Sequence, residues 1–214
     1  TFDKSVMIQG GHRIYTTIQE AIDDASAGDT VNVGAGNYTE QLVISKSLTL
    51  QGTGKDVTLL KAPATLTPTA WMHRGVAFKA LIEVNGATAH SITVNISGFT
   101  IDGLKKSSAN PRYTGVVYHN ADGTFSDNKI TKFGNTPPTG ADGWGIFVVE
   151  GSNVTISGNT IDNWGKGGVV VDGDENYAST DVTATVTGNT ITGAGQITAV
   201  AQNGVQISRG ATGT

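Results

Sequence analysis

Cysteine is absent from this 214-residue chain, which excludes a disulfide scaffold and a cysteine nucleophile. Only 15% of the residues are charged and the formal net charge is −4, so the chain lacks the basic face that nucleic-acid binding requires. No apolar run approaches the ~18 residues that a membrane-spanning helix needs. Aromatic residues make up only 7% of the chain, so the places where they gather are informative.

Glycine is abundant instead, with 29 residues, and short β-branched runs lie between glycine, asparagine and aspartate. These runs recur along the chain. The isoleucine that follows each turn appears at Ile101, Ile130, Ile161 and Ile191, at intervals of 29, 31 and 30 residues. A fixed period with strand and turn signals is typical of a repeat architecture.

A second series of runs follows these turns: GVVYH, GIFVV, GVVVD and GVQIS. We assign them as strand one of each coil, the VTIS-type run as strand two, and the TI pair as strand three. Three short strands per coil predict an all-β parallel β-helix. Asn128, Asn159 and Asn189 are then expected to stack at equivalent corners, with their amides hydrogen-bonded to each other.

Alternation along strand one predicts which side chains enter the core. The residues expected inside are Val116, Tyr118, Ile146, Val148, Val169, Val171, Val205 and Ile207. The residues expected outside are Val117, His119, Phe147, Val149, Val170, Asp172, Gln206 and Ser208.

A capping box at Thr17 and Glu20 precedes an apolar helical face, which predicts a short N-terminal capping α-helix over roughly 18–26. We expect one β-helix domain over 1–214, with the cap and first coil in 1–60 and repeated coils in 61–214. The C-terminus shows no cap. We therefore expect a truncated chain whose natural form continues with further coils, or whose C-terminal edge self-associates.

The N-terminal segments IQEAI, GDTVNV, GNYTE and SLTLQG, between Tyr15 and Leu60, resemble the first coil of the pectin-lyase-like right-handed parallel β-helix superfamily. The later SGNTI and AQNGVQIS segments are similar to its bacterial carbohydrate-binding and sugar-hydrolase repeat group. The resemblance implies a right-handed coil. Motifs of the QDT, DFIFG and RPW types, and those of polygalacturonases, are missing, which disfavours esterase and hydrolase activity.

Long loops border strand one and are expected to form the walls of a groove. Tyr113, Trp144 and Trp164 each lie just before or close to a strand-one run, where exposed rings could stack on sugars. Charged neighbours could bind hydroxyl or uronate groups. The candidate carbohydrate-binding residues are Tyr113, Trp144, Trp164, Asp142, Asp162, Lys166, Arg112 and His119. The alternative is that the aromatic rings fold inward and plug the loops.

Asp172, Asp174 and Asn176 resemble the opening of a calcium loop, so Ca²⁺ is a candidate cofactor, although the pattern then breaks at Tyr177. A solvated acidic turn is the alternative. The long loop 61–79, which carries Trp71 and His73, is either a lid over the groove or an inert flap. His119, Asp172 and Ser208 lie in different coils, which disfavours a serine triad.

These features favour an extracellular or cell-surface module that contacts polysaccharide. One alternative is a calcium-dependent lyase or epimerase acting on a uronate polymer, with Lys166, Arg112 or Arg209 as base. The other is a non-catalytic stalk or adhesin segment. A lyase predicts an acid–base cluster with shifted pKa values on the outer face of strand one, whereas a binding module predicts aligned exposed aromatic rings.

Overall fold

The computed structural model describes residues 5–106, 112–134, 142–174, 181–195, 198 and 200–214. Its strands wind into a β-helix in which each coil contributes one strand to each of three sheets, as the repeat predicts. All strand pairs in the sheets are parallel except one, since β1 (Val6–Ile8) runs antiparallel to β2 (Thr30–Val33).

The strand-one runs form sheet 1, the strand-two runs sheet 2 and the strand-three pairs sheet 3. Sheet 1 contains β4 (Leu42–Ile44), β7 (Lys79–Asn85), β10 (Tyr113–His119), β13 (Trp144–Val148), β16 (Gly167–Asp172) and β19 (Asn203–Ser208). Sheet 2 contains β1, β2, β5 (Leu48–Gly52), β8 (Ile92–Ser97), β11 (Ala121–Ser126), β14 (Ser152–Ser157), β17 (Val182–Thr187) and β20 (Thr212–Gly213). Sheet 3 contains β3 (Gly36–Thr39), β6 (Thr58–Lys61), β9 (Thr100–Asp102), β12 (Lys129–Thr131), β15 (Thr160–Asp162) and β18 (Thr190–Thr192).

The N-terminal cap is α1 (Ile18–Asp24), two residues shorter than predicted. The Thr17 hydroxyl accepts the Glu20 N–H, and Ile18, Ala21 and Ile22 are buried. The carboxylate of Glu40 accepts the backbone N–H groups of Ile18 and Gln19, each at 3.1 Å. The glutamate of the GNYTE segment therefore satisfies two free donors at the positive end of the helix.

The stacked asparagines form the predicted ladder. The N–H of Asn128 donates to Asn159 Oδ1 at 3.0 Å, and the N–H of Asn159 donates to Asn189 Oδ1 at 2.9 Å. Each amide nitrogen also donates to a carbonyl of the preceding strand, as Asn159 does to Phe125 at 2.8 Å. Because these buried groups pair with one another, the polar corner costs the core little.

Alternation in sheet 1 is confirmed for β10, β13 and β16, whose predicted inward residues are fully buried in the main core. Val205 and Ile207 are 45% and 44% exposed, because β19 is the last strand of its sheet. Glycines near the start of β10, β13 and β16 permit close packing of the coils. A Cβ on Gly145 would lie 2.5 Å from the Gly168 carbonyl oxygen.

Candidate functional site

The connection between β6 and β7, residues 62–78, lies over the outer face of sheet 1, and we call it the flap. Phe78 at its end is fully buried in a second apolar cluster, separate from the main core, with the outward residues Val117, Phe147 and Val170. The position over the sheet agrees with both expectations for this loop, a lid and an inert flap. It also means that the groove expected over this part of the sheet is filled by the protein's own chain.

A tight turn in the flap directs His73 toward the sheet. His73 and Val76 exchange backbone hydrogen bonds of 3.1 and 3.2 Å. The two residues between them, Arg74 and Gly75, have φ values of 52° and 73°, as a type I′ turn requires. The side chain of His73 is only 1% exposed, so this turn inserts an imidazole beneath the flap.

His73 lies between two carboxylates of neighbouring coils. Its Nδ1 contacts Glu150, which follows β13, and its Nε2 is 3.0 Å from Asp172 Oδ2 at the end of β16. The other oxygen of Asp172 accepts hydrogen bonds from Ser208 at 2.6 Å and Arg209 at 2.8 Å. The flap is thus connected by hydrogen bonds to the ends of β13, β16 and β19.

Electrostatics in this cluster favour the ionised carboxylate of Asp172. Burial alone would raise the pKa of Asp172, but the hydrogen bonds from His73, Ser208 and Arg209 lower it to about 2. Burial likewise opposes the charged form of His73, while its hydrogen bonds to Asp172 and Glu150 raise its pKa overall. His73 and Asp172 therefore form an acid–base pair with shifted pKa values, a feature that a lyase site would also show, but this pair is closed to solvent.

An open cleft of about 550 Å³ lies beside the flap, over β4 and β7. Its lining residues come from α1, from strands β4 and β7 with the residues flanking β4, and from the flap: Gln19, Gln41, Val43, Thr67, Pro68, Ala70, Glu83 and Asn85. Val43 is 42% exposed, so the floor is accessible from solvent. The cleft combines apolar surface with amide and carboxylate groups.

Glu83 on the floor of the cleft has an unusual environment. Its side chain points outward from sheet 1 yet is only 6% exposed, and its Oε1 accepts the Trp71 indole N–H at 2.7 Å. Burial raises the pKa of Glu83, against the smaller opposing effect of this hydrogen bond. A buried carboxyl at the edge of an open cleft is a candidate for binding or for acid–base chemistry.

The predicted wall of three aromatic rings does not form. Tyr113 is fully buried, donates its hydroxyl to the Gly103 carbonyl at 2.5 Å and packs on Phe133. Trp164 is 3% exposed within the main core. Trp144 alone of the three remains partly exposed, packed against Phe147. Tyr113 and Trp164 therefore plug the loops and offer no ring face to a ligand.

The charged candidates are divided between two places. Asp142 accepts the backbone N–H of Arg112 at 3.4 Å, so both lie at the strand-one edge beside Trp144. Lys166, which precedes β16, donates to the Ala201 carbonyl at 3.0 Å. Asp162 lies at the end of β15 in sheet 3, where Thr131 and Asn163 donate to it.

His119 lies under the flap, away from the other candidates. Its Nδ1 is 2.7 Å from Asn85 Oδ1, and Trp71 covers its ring. Burial is the main effect that lowers the pKa of His119. It makes no contact with Asp172 or Ser208 among the described residues, because its ring lies between Asn85 and Trp71.

The candidate calcium ligands Asp172 and Asp174 have different surroundings. Asp172 directs both oxygens to His73, Ser208 and Arg209, and Asp174 is 1% exposed beside Glu150 and His73. Asn176 lies outside the described residues. The sequence reasoning missed Glu83 and Glu150 as site residues. For Glu83 the sequence did carry a sign, because this lone glutamate stands at an outward position within the apolar run ALIEV of β7.

Three comparisons with known proteins bear on this chain. A family described as the right-handed β-helix region matches residues 75–214. A stretch of 47 residues is 49% identical to a cell surface glycoprotein of Methanothermus fervidus and covers 21% of this chain. The match spans only 8% of that glycoprotein.

A solved structure of a mutant pectin methylesterase in complex with a hexasaccharide is also similar. The alignment has 14% identity and a TM-score of 0.44, and it covers 93% of this chain and 64% of the esterase chain. In the part of the chain that the structure describes, no helix has the length and apolar character needed to cross a membrane.

Proposed function

Because this chain belongs to the right-handed β-helix family, whose coils here hold a long flap against a rigid sheet, we propose that it binds a polysaccharide in the cleft between the flap and strands β4 and β7. The observation that carries the proposal is the cleft itself. Its volume of about 550 Å³ lies within the usual range for ligand sites, and it is open to solvent while the His73 cluster is closed.

The lining of the cleft suits a sugar. Val43 and Pro68 supply apolar surface for a ring face, and Asn85, Gln41 and Glu83 place polar groups beside it. A pyranose ring has an apolar face and a polar edge, so one wall of each kind is required. A polymer longer than the cleft would make further contacts with the protein. For these contacts we propose Trp144, Asp142, Arg112 and Lys166.

We place the protein outside the cell or on its surface. The partial match to a cell surface glycoprotein supports this location. In this location a polysaccharide is an available ligand.

The test is a polysaccharide array that includes neutral and uronate polymers. Val43→Trp fills the cleft from an exposed position and should abolish binding. Ile14→Trp is the matched control, because Ile14 is 64% exposed and lines no part of the cleft. If the Val43→Trp variant still binds polysaccharide, the cleft is not the binding site. No binding by the unmodified protein would favour a structural stalk or adhesin segment.

A second candidate function is acid–base cleavage or epimerisation of a uronate polymer in the same cleft. The raised pKa of Glu83, caused by burial, favours it, since a carboxyl that holds its proton more tightly can act as a general acid. The array incubations should then yield unsaturated or epimerised product. Glu83→Gln would abolish product and retain binding, whereas an absence of product in the unmodified protein would leave the binding function alone.

A further inference from the structure

We propose that His73, Glu150 and Asp174 bind one divalent transition-metal ion, which fastens the flap to the edge of sheet 1. This site is separate from the cleft and does not depend on the proposed polysaccharide function. One potential ligand atom from each of the three residues lies within 4.8 Å of the other two. No other such group of three occurs among the described residues.

The fold brings these three side chains together. Val148 of β13 pairs with Val171 of β16, and Glu150 and Asp174 follow these two residues at the same end of the sheet. The Arg74–Gly75 turn then delivers His73 from the flap above them. Two ligands thus come from a rigid sheet edge and the third from a long connection, so a bound ion would join the flap to the coils.

An unsatisfied atom points to a missing partner. The Oε2 of Glu150 is buried and has no hydrogen-bond partner among the described residues. A buried carboxylate oxygen without a partner carries a desolvation cost that a native structure normally avoids. A metal ion at this point would satisfy that oxygen. Ligands at about 2.1 Å from a tetrahedral ion lie roughly 3.4 Å apart, so a bound ion requires the contact between His73 Nδ1 and Glu150 to open.

Asp172 is arranged to position the histidine. It contacts His73 Nε2 at 3.0 Å, which leaves Nδ1 on the side of Glu150 as the ligand nitrogen. A carboxylate that accepts the other N–H of a ligating histidine fixes its ring and tautomer. Arg209 at 2.8 Å balances the charge of Asp172. Glu150 and Asp174 supply the two carboxylate ligands.

The ligand set selects the class of metal. Imidazole nitrogen with carboxylate oxygens suits Zn²⁺ and similar first-row ions, whereas Ca²⁺ prefers oxygen ligands alone. The geometry therefore favours a transition metal over the calcium ion predicted from Asp172, Asp174 and Asn176. The competing account is that a protonated His73 bridges the carboxylates without any metal, and this is an outcome of the test below.

The experiment uses the full chain, stripped with EDTA, dialysed and titrated with Zn²⁺ and separately with Mn²⁺. We expect about one equivalent of Zn²⁺ per chain by elemental analysis, and a Tm rise of about 5–10 °C at a hundredfold excess over Kd. Co²⁺ substitution should give an absorption spectrum typical of mixed nitrogen and oxygen ligands. Failure to bind either titrated metal would overturn the proposal in favour of a protonated His73.

Three variants locate the site. Glu150→Gln and Asp174→Asn preserve side-chain volume and should each lower Zn²⁺ affinity at least tenfold, and Asp172→Asn should lower it 10- to 100-fold through loss of positioning. His90→Ala is the matched control. His90 also lies between two carboxylates, Asp122 at 2.6 Å and Asp181 at 3.3 Å, but it belongs to no group of three potential ligands among the described residues. Equal affinity in Glu150→Gln and the unmodified chain would place the metal elsewhere and contradict the proposal.

Discussion

The indole of Trp71 stacks on the imidazole of His119, with ring centroids 4.0 Å apart and planes inclined by 10°. Trp71 belongs to the flap between β6 and β7, and His119 ends β10, the strand next to β7 in sheet 1. The same indole donates to Glu83 on β7. One flap residue therefore connects two adjacent strands of sheet 1 and forms the boundary between the closed cluster and the open cleft.

Removal of the Trp71 side chain should open the flap without unfolding the coils. We expect Trp71→Ala to cost roughly 2–3 kcal/mol, somewhat less than a fully buried aromatic, and to expose the apolar cluster around Phe78. Limited proteolysis should then cut within residues 62–78, and a hydrophobic dye should bind. Met72→Ala is the control, since Met72 is 66% exposed. Equal protease resistance in both variants would show that the stack does not hold the flap.

Glu83 should make stability fall as pH rises. Its folded-state pKa is raised above the ordinary value of 4.5 by burial, so the folded chain holds the proton more tightly than the unfolded chain. Stability is therefore lost as pH rises from about 4.5 through the folded pKa. Glu83→Gln keeps an oxygen for the Trp71 N–H and removes the charge, so it should flatten this slope and raise Tm at pH 7.

Thermal melts from pH 4 to 7 measure this effect, with Asp56→Asn as an exposed control. A Glu83→Gln variant that is less stable than the unmodified chain at pH 7, with an unchanged slope, would contradict the assigned cause.

The asparagine ladder should contribute strongly to stability. Asn159→Ala leaves the Asn128 N–H and the Phe125 carbonyl without their partners, at a cost of about 3 kcal/mol. Asn153→Ala, at an exposed position of the adjacent strand β14, should cost less than ~0.5 kcal/mol. Urea denaturation compares the two variants. Similar midpoints would mean that the ladder fixes the corner geometry without adding stability.

A methyl group at Gly145 should force neighbouring coils apart. It would lie 2.5 Å from the Gly168 carbonyl oxygen and 2.9 Å from Ile161 Cγ2, so we expect Gly145→Ala to cost about 2–3 kcal/mol. Gly54→Ala has room, with its nearest contact at 3.7 Å, and should be nearly neutral. Thermal unfolding of both variants tests whether the close approach of neighbouring coils requires glycine at position 145.

The repeat spacing and alternation predicted the β-helix, its three strands per coil and the inward residues of sheet 1, because these patterns follow directly from burial. The ladder was also predictable, since equivalent asparagines recur at one corner. The sequence did not predict whether the rings of Tyr113, Trp144 and Trp164 point into the core or toward solvent. Tyr113 and Trp164 lie at sheet corners, where alternation no longer determines which side a residue faces.

The site under the flap was beyond prediction for a similar reason. His73 and Asp172 are 99 residues apart, and no local pattern indicates where a long connection will dock. The sequence did mark the connection as unusually long and placed Asp172 outside the core. Glu83 interrupts an apolar strand, which was the visible sign of a polar group on the outer face.

The most direct test of the account is a ¹H–¹⁵N spectrum of the three tryptophan indoles during titration with an oligosaccharide selected by the array. Trp71 donates its indole N–H to Glu83 at the cleft, and Trp164 is buried in the core. If the oligosaccharide binds in the cleft, the Trp71 signal should shift to saturation while the Trp164 signal stays in place. A bound oligosaccharide that leaves the Trp71 signal unmoved would contradict binding in the cleft.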